Sequence, residues 1–360
     1  MSRLPDVVIV NFHGAHDTLA ALASLELNEC GVVHIVDNSV DADQARQLRE
    51  GSAHRAQVRL HIASENLGFG RACNLAFAES ASDEFLLLNP DAQMRPHALA
   101  RLRETLHADA HLAAVAPRMD WTSDGRLVLP NLVSQSPAAR VSQALLSRWG
   151  ARWPAALARR GTRMARAFAR AMSAQRPLAA ASLSGAVLLL RRSAVVRAGG
   201  LFDPAFFMFF EDTDLSLRLR RAGFRLAVEP RARAWHAWRH RADKAALMAA
   251  SEPLYMARHH ARSHALAQCW LPRLHVDPWR GDTSAVPVVG SAQACRALLG
   301  GVLALTPLPL LHPAGVRADG VARPVSEEEW GLLLPGRWYA WVDSSKPHEW
   351  RRFDVAPSQP

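Results

Sequence analysis

Four short apolar runs in the first 120 residues, separated by segments with helical spacing, constrain this chain more than any other feature. Val7–Phe12 and Val32–Val36 are almost continuously apolar, Glu84–Leu88 is nearly so, and Val58–Ile62 alternates apolar with polar residues. Between and after them, Asp17–Leu27, Ala42–Glu50, Gly70–Glu79 and Pro96–His107 carry apolar residues at helical spacing. Strands that do not alternate are buried on both faces, as in a mainly parallel sheet covered by helices. The alternating third run predicts a half-exposed strand.

Ligands of open α/β sheets bind beyond the carboxyl ends of the strands. Here those ends are polar: Asn11-Phe12-His13, Asp37-Asn38-Ser39, Glu65 to Gly70, and Asn89-Pro90-Asp91. One polar strand end is an ordinary turn. Four in series predict a binding site.

Composition narrows the class. The 360 residues are 49% hydrophobic and 21% charged, which excludes wholesale disorder and fits about two domains. No short repeat supports a fibrous chain. The formal net charge is +10, but residues 131–180 hold nine arginines and no acid, so the remainder is nearly neutral. That distribution disfavours a nucleic-acid binder and predicts one local basic element. Met164, Phe168 and Met172 share a helical face, with Arg159, Arg163, Arg166 and Arg170 opposite and Trp149 and Trp153 just before. The pattern predicts a basic amphipathic helix with aromatic anchors. Cys30, Cys73, Cys269 and Cys295 make no CxxC pair, so no zinc motif is expected, and their number suits a reducing cytoplasm. Ala294 to Leu311 is apolar but contains Arg296, Pro307 and Pro309, and reads as buried or interfacial. β character returns at Leu183–Leu190, and helical patterns at Asp214–Ala222 and Ala245–Ala265. The final stretch, rich in Pro and Trp, has no clear period.

Several segments carry chemistry. Asp91 at a strand tip can hold a divalent cation against phosphates, although Asn89-Pro90-Asp91 alone reads as a turn. Asp37 can accept hydrogen bonds from a base or ribose, or cap the next helix. Asn66-Leu67-Gly68-Phe69-Gly70 to Asn74 opens a helix whose glycines admit close backbone approach, yet it is neither a P-loop nor a dinucleotide fingerprint. Glu211-Asp212-Thr213-Asp214 follows Phe206-Phe207-Met208-Phe209-Phe210. Apolar walls raise a carboxylate's proton affinity and suit it to general-base work, whereas a helix N-terminus alone explains Asp214. His236 is a possible metal ligand if an acid lies beside it.

In order, Val8-Ile9-Val10-Asn11-Phe12, Asp37-Asn38-Ser39, Asn66 to Gly70 with Asn74, Leu88-Asn89-Pro90-Asp91, Ser184-Gly185-Ala186, Gly199-Gly200-Leu201-Phe202-Asp203, Glu211 to Leu215 and His236 resemble bacterial family 2 glycosyltransferases of the rhamnosyltransferase-like branch. The resemblance covers about residues 6–240. It implies a GT-A fold, a dTDP- or UDP-sugar donor and inversion at the anomeric carbon. It places Asn11, Phe12, Asp37, Asn66, Gly68, Gly70 and Asn74 around the nucleotide, with Ser184 and Gly185 between donor and acceptor. Asp91 is then the surviving acid of the family's DxD motif, with Asn89 at the first acidic position, and binds Mg²⁺ or Mn²⁺ together with His236. Asp212, beside Glu211, matches the catalytic base. The favoured donor is dTDP-rhamnose. The acceptor is a glycan or polyprenyl-diphosphate-linked sugar in cell-surface polysaccharide assembly, and no nucleic-acid partner is expected.

The expected organisation is a GT-A domain over 1–265, with the basic insertion at about 131–180, and a C-terminal extension over 266–360. Residues about 140–172 are expected either to dock on an anionic membrane or a lipid-diphosphate acceptor from the cytoplasmic side, or to form a surface insertion whose Met/Phe face packs on the core. The competing reading is an inactive GT-A scaffold or a membrane- or partner-binding protein.

Overall fold

A computed structural model describes residues 3–129, 136–138, 141–142, 145, 154–237, 244–274, 302–306, 315–317, 321, 323–333, 336–342 and 350–355. Trp149, Trp153, Cys295 and most of Ala294 to Leu311 lie outside the described residues. The chain begins with β1 (Asp6–Asn11), α1 (Ala15–Ala23), β2 (Val33–Asp37), α2 (Ala42–Ser52), β3 (Val58–Ile62), α3 (Gly68–Glu79) and β4 (Glu84–Leu88). Then come β5 (Ala92–Met94), α4 (Ala98–His107), β6 (Leu112–Asp120) and β7 (Leu127–Val128). Next are α5 (Pro154–Met172), β8 (Leu178–Ala180), β9 (Val187–Arg191), α6 (Arg192–Arg197), α7 (Glu211–Arg221), β10 (Arg225–His236) and α8 (Lys244–Leu274). The last are β11 (Val302–Thr306), β12 (Gly315–Arg317), α9 (Glu327–Gly331), β13 (Gly336–Val342) and β14 (Trp350–Val355).

Contacts divide the chain into two compact units. One comprises the described residues of 1–119 and 175–255, the other those of 120–130, 135–174 and 256–360. The division departs from a boundary at 265: the basic insertion, as far as residue 174, groups with the C-terminal segment. The physical reason is visible in the second unit. Strands β14-β13-β11-β12-β7 form an antiparallel sheet there, bringing Leu127 opposite Arg317. Trp338, Tyr339, Trp350 and Phe353 are buried, and the Trp350 indole N–H donates to Ala158 O of α5 at 3.3 Å.

The first unit holds the predicted sheet in the order β3-β2-β1-β4-β9-β6. β1 to β4 run parallel, with Asn11 beside Asp37 and Asp6 beside Phe85. The ends of β1, β2 and β4 therefore lie together. All residues of β1, β2 and β4 are buried, which is why they read as unbroken apolar runs, while β3 at the edge is half-exposed. Two neighbours depart from the parallel pattern: β9 runs antiparallel to β4 and β6 antiparallel to β9. β10 pairs antiparallel with β5 and β8, setting His236 opposite Ala92. That pairing carries the late histidine to the loop after β4.

Among the described residues, no helix is long and apolar enough to cross a membrane.

Candidate active site

Asn11 ends β1 and is fully buried. Its amide nitrogen donates to Asp37 Oδ1 and to Ser39 Oγ, both at 2.9 Å. Its amide oxygen accepts from Gly14 N at 3.1 Å and Thr18 Oγ1 at 2.9 Å. Both ends of the Asn11 amide thus bind protein groups, and its N–H₂ orients Asp37 and Ser39. The Asp37 carboxylate is also fully buried. Its Oδ1 accepts from Asn11 and from Ser39 N at 3.0 Å, while Oδ2 has no hydrogen-bond partner. An unsatisfied buried acceptor costs on the order of 1–3 kcal/mol, which a donor N–H or hydroxyl would recover. Phe12 is half-buried, its ring edge-on to His13 at 4.7 Å.

The glycine-rich turn before α3 is tied on both sides. Asn38 Nδ2 donates to Gly68 O, Asn38 Oδ1 accepts from Leu67 N, and Asn66 Oδ1 accepts from Gly68 N. Gly68 has φ +76°, and a Cβ there would stand 2.3 Å from Phe207 O, so only glycine fits. Gly70 lies against Phe202, where a Cβ would approach to 3.3 Å. Asn74 clasps the Phe202 backbone, donating to its O at 2.7 Å and accepting from its N at 2.9 Å. Gly68, Gly70 and Asn74 thus shape the site by holding the 202–207 segment against α3. Asn66 is exposed.

After β4, Asn89 N donates to Ala186 O at 2.7 Å and Ser184 Oγ accepts from Ala186 N at 3.2 Å, which fixes the turn that presents Gly185. Asp91 O accepts from Ala237 N, and Asp91 Oδ1 lies 3.2 Å from His236 Nε2. The side chains are 23% and 11% exposed, so the pair is partly open to a ligand. Neighbouring ligands of an octahedral divalent ion at about 2.1 Å stand roughly 3 Å apart, so this oxygen and nitrogen fit one such ion. A pair leaves most coordination positions for phosphate oxygens and water.

Glu211 and Asp212 open α7 directly after Phe209 and Phe210, whose φ values are +67° and +70°. Left-handed backbone at a bulky residue costs on the order of 1–3 kcal/mol and collects at functional sites. Tertiary contacts hold the turn. The Phe210 ring meets Tyr255 at 5.4 Å, and Arg218 donates to Asp214 Oδ2 and to the carbonyls of Ala198, Gly200 and Leu201. Asp212 is half-buried. Its Oδ2 accepts from Gly185 N at 3.1 Å, and its Oδ1 accepts from Thr213 N at 2.6 Å and Thr213 Oγ1 at 3.2 Å. Burial pushes the Asp212 carboxyl upward, against the hydrogen bonds from Gly185 and Thr213. Burial, and then the Asp212 charge, push Glu211 up to about 8. Glu211 therefore keeps its proton near neutrality.

This assignment fixes the sign of a pH effect. Glu211 stays neutral when folded and ionises near 4.5 when unfolded, so its contribution to stability is full below about 4.5 and is lost as pH rises to about 8. Glu211→Gln is expected to flatten that fall. Thermal unfolding from pH 5 to 8 checks it: equal slopes in both proteins would contradict a neutral Glu211.

The structure brings Asp37, Asp91, His236, Gly185 and Asp212 into one unit, each by a different element. Asn38 and Thr213 lie in segments singled out in the sequence but without a role of their own there. Sequence reasoning missed Arg218, which stands one helical turn after Asp214, a spacing that signals an ion pair.

The model of the family described as "Glycosyltransferase like family 2" matches residues 6–262, which hold every site residue named above. A curated relative, N-acetylglucosaminyl-diphospho-decaprenol L-rhamnosyltransferase of Mycobacterium tuberculosis (strain ATCC 25618 / H37Rv), is 28% identical over 295 residues, 77% of this chain and 86% of its own. Among solved structures, a mannosyltransferase from Pyrobaculum calidifontis in complex with GDP-Man and Mn²⁺ is similar, with a TM-score of 0.49 at 16% identity over 82% of this chain and 75% of that one. GalNAc-T7 with UDP, GalNAc and Mn²⁺ gives a TM-score of 0.48 at 14% identity over 66% of this chain and 43% of that one. With the family match spanning the sheet, the strand ends and the Glu211-Asp212 turn, the chain belongs to glycosyltransferase-like family 2 and is a glycosyltransferase of the GT-A fold.

Proposed function

We infer that the enzyme transfers rhamnose, with inversion, from dTDP-rhamnose to a hydroxyl of a polyprenyl-diphosphate-linked sugar, in assembly of a cell-surface polysaccharide. The observation that carries the reading is Asp212: a half-buried carboxylate oriented by Gly185 N–H and Thr213, beside a partner that keeps its own proton. The name of the mycobacterial relative, matched over most of both chains, supports the sugar and the acceptor class.

Each residue has a task in this mechanism. Asp37 Oδ2 takes a hydrogen bond from the donor's nucleoside. Asp212 removes the proton from the acceptor hydroxyl as its oxygen attacks the anomeric carbon, opposite the departing diphosphate. The transition state has oxocarbenium character. Gly185 N–H and the Thr213 hydroxyl keep Asp212 aimed throughout. Asp91 and His236 would hold Mg²⁺ or Mn²⁺, which supplies positive charge against the leaving diphosphate.

Helix α5 suits a lipid-linked acceptor. Arg159, Arg163, Arg166 and Arg170 are all exposed, while Ala165, Ala169 and Met172 are buried and Met164 and Phe168 half-buried. The buried stripe is thus centred on alanines, with the larger side chains at its margin. Arg166 also lies over the Trp341 ring at 5.2 Å. Each basic residue at an anionic surface contributes about 1 kcal/mol, enough for peripheral binding at the cytoplasmic face. Changing these four arginines to Gln is expected to abolish flotation with anionic vesicles. Undiminished flotation would remove the helix from the account.

Transfer itself is tested with dTDP-rhamnose and a polyprenyl-diphosphate-linked N-acetylglucosamine. The expected result is an acceptor-dependent rhamnosylated lipid. Transfer of a different sugar to the same lipid would overturn the donor, and transfer only to free glycans would overturn the acceptor.

A further inference from the structure

Two imidazoles meet on the sheet, below the strand ends that form the active site. His34 is three residues before Asp37 on β2, about 10 Å down the strand at the usual rise. His61 is on β3, paired with Val36. Glu79 ends α3, which packs on β1 and β2. His34 Nδ1 and His61 Nε2 are 3.1 Å apart, with the rings within 19° of parallel. The other His61 nitrogen, Nδ1, is 3.7 Å from Glu79 Oε1. One ligand atom from each of the three residues lies within 4.8 Å of the other two. Burial is graded: His34 is fully enclosed, the His61 side chain is 17% exposed and that of Glu79 is 49% exposed. The cluster has a closed floor and a mouth towards solvent.

Nothing in the transferase chemistry uses these groups. His34 Nε2 is buried without a hydrogen-bond partner, so the pair is not a fully satisfied polar network. Two imidazole nitrogens and one carboxylate are the donor set of zinc and neighbouring late divalent ions, whereas Mg²⁺ prefers oxygen alone. Two nitrogens on one tetrahedral ion at about 2.0–2.1 Å stand roughly 3.3 Å apart, close to the spacing here. Burial, then His61, hold His34 below the usual imidazole range. The other charges acting on His34 are Asp6 and Glu79, which favour a cation, and Arg59, which opposes it. Asp6 is held in place by hydrogen bonds from Val32 N and Ser80 Oγ.

We propose that His34, His61 and Glu79 form a second metal site, selective for Zn²⁺ or a similar late divalent ion over Mg²⁺, that cross-ties β2, β3 and α3. The site is independent of the donor-binding pair Asp91 and His236 and of the transferase reading. Three protein ligands leave a fourth position for water at the mouth.

The test uses metal-stripped full-length protein carrying His236→Ala, so that the imidazole near the donor site cannot contribute. Titration with Co²⁺ is expected to give one equivalent with the intense visible absorption of a four-coordinate ion, and Zn²⁺ is expected to raise the Tm while Mg²⁺ does not. Adding His61→Gln is expected to remove both signals. Glu79→Gln, at a half-exposed position that does not threaten folding, is expected to weaken Zn²⁺ binding at least about 10-fold. Absence of the Co²⁺ spectrum and the Zn²⁺ shift would overturn the proposal and leave a hydrogen-bonded histidine pair. Signals that persist unchanged in both variants would also overturn it, by placing the ion elsewhere, for instance at Glu26, Glu29 and His97. If His61→Gln does not fold, Glu79→Gln decides alone.

Discussion

Asp212→Asn is expected to lower kcat by about 10²–10⁴-fold, the usual contribution of a positioned general base, with donor binding nearly unchanged. The amide keeps an oxygen to accept from Thr213 N, so the turn at the start of α7 survives. It offers an N–H₂ where Oδ2 now accepts from Gly185 N and cannot take a proton from an acceptor hydroxyl. Rate and binding should therefore separate. Titration of the nucleotide sugar and single-turnover transfer measure the two independently. Parallel loss of donor affinity and rate would mean that Asp212 supports the fold of the site and does not act as the base.

Asp91→Ala is expected to act on the other side of the reaction. Removing the carboxylate takes away one of the two protein groups fitted to a divalent ion and leaves His236 Nε2 without this partner. The metal concentration for half-maximal activity should rise about 100-fold, and donor affinity should fall with it, because the diphosphate loses the charge that neutralises it. His236→Ala should act in the same direction. Metal titrations of transfer rate in both variants check this. A metal response identical to that of the unaltered enzyme would remove Asp91 and His236 from the metal site.

The strands that build this site were legible because burial on both faces leaves continuous apolar runs. β3 and β4 match their expected bounds, and β1 and β2 are displaced by one residue. The clustering of polar groups at the strand ends was legible for the same reason: Asn11, Asp37 and Asn89 are the points where apolar runs stop. What the side chains bind there was not legible. Asn11 and Asn74 satisfy protein groups with both ends of their amides, and a sequence does not distinguish a ligand-facing amide from one that clasps the backbone. The start of α7 was expected at Asp214 and lies at Glu211, since two successive left-handed phenylalanines are set by tertiary contacts and leave no local signal. Leu183–Leu190 read as strand, but its first residues form the turn that aims Gly185 N at Asp212, and the strand begins at Val187. The second unit escaped because its pairings are remote: Leu127 of β7 meets Arg317 of β12, and neither short strand shows a period of its own.

Slow hydrolysis of the donor tests metal-assisted transfer from a nucleotide sugar without needing the acceptor. A panel of dTDP- and UDP-sugars would be incubated with the enzyme in Mg²⁺, Mn²⁺ or EDTA, and released nucleoside diphosphate measured. The expected result is turnover of dTDP-rhamnose with metal, its loss in EDTA, and its loss in Asp91→Ala. Binding and hydrolysis of no donor under any of these conditions would contradict the account and favour an inactive scaffold on the same fold.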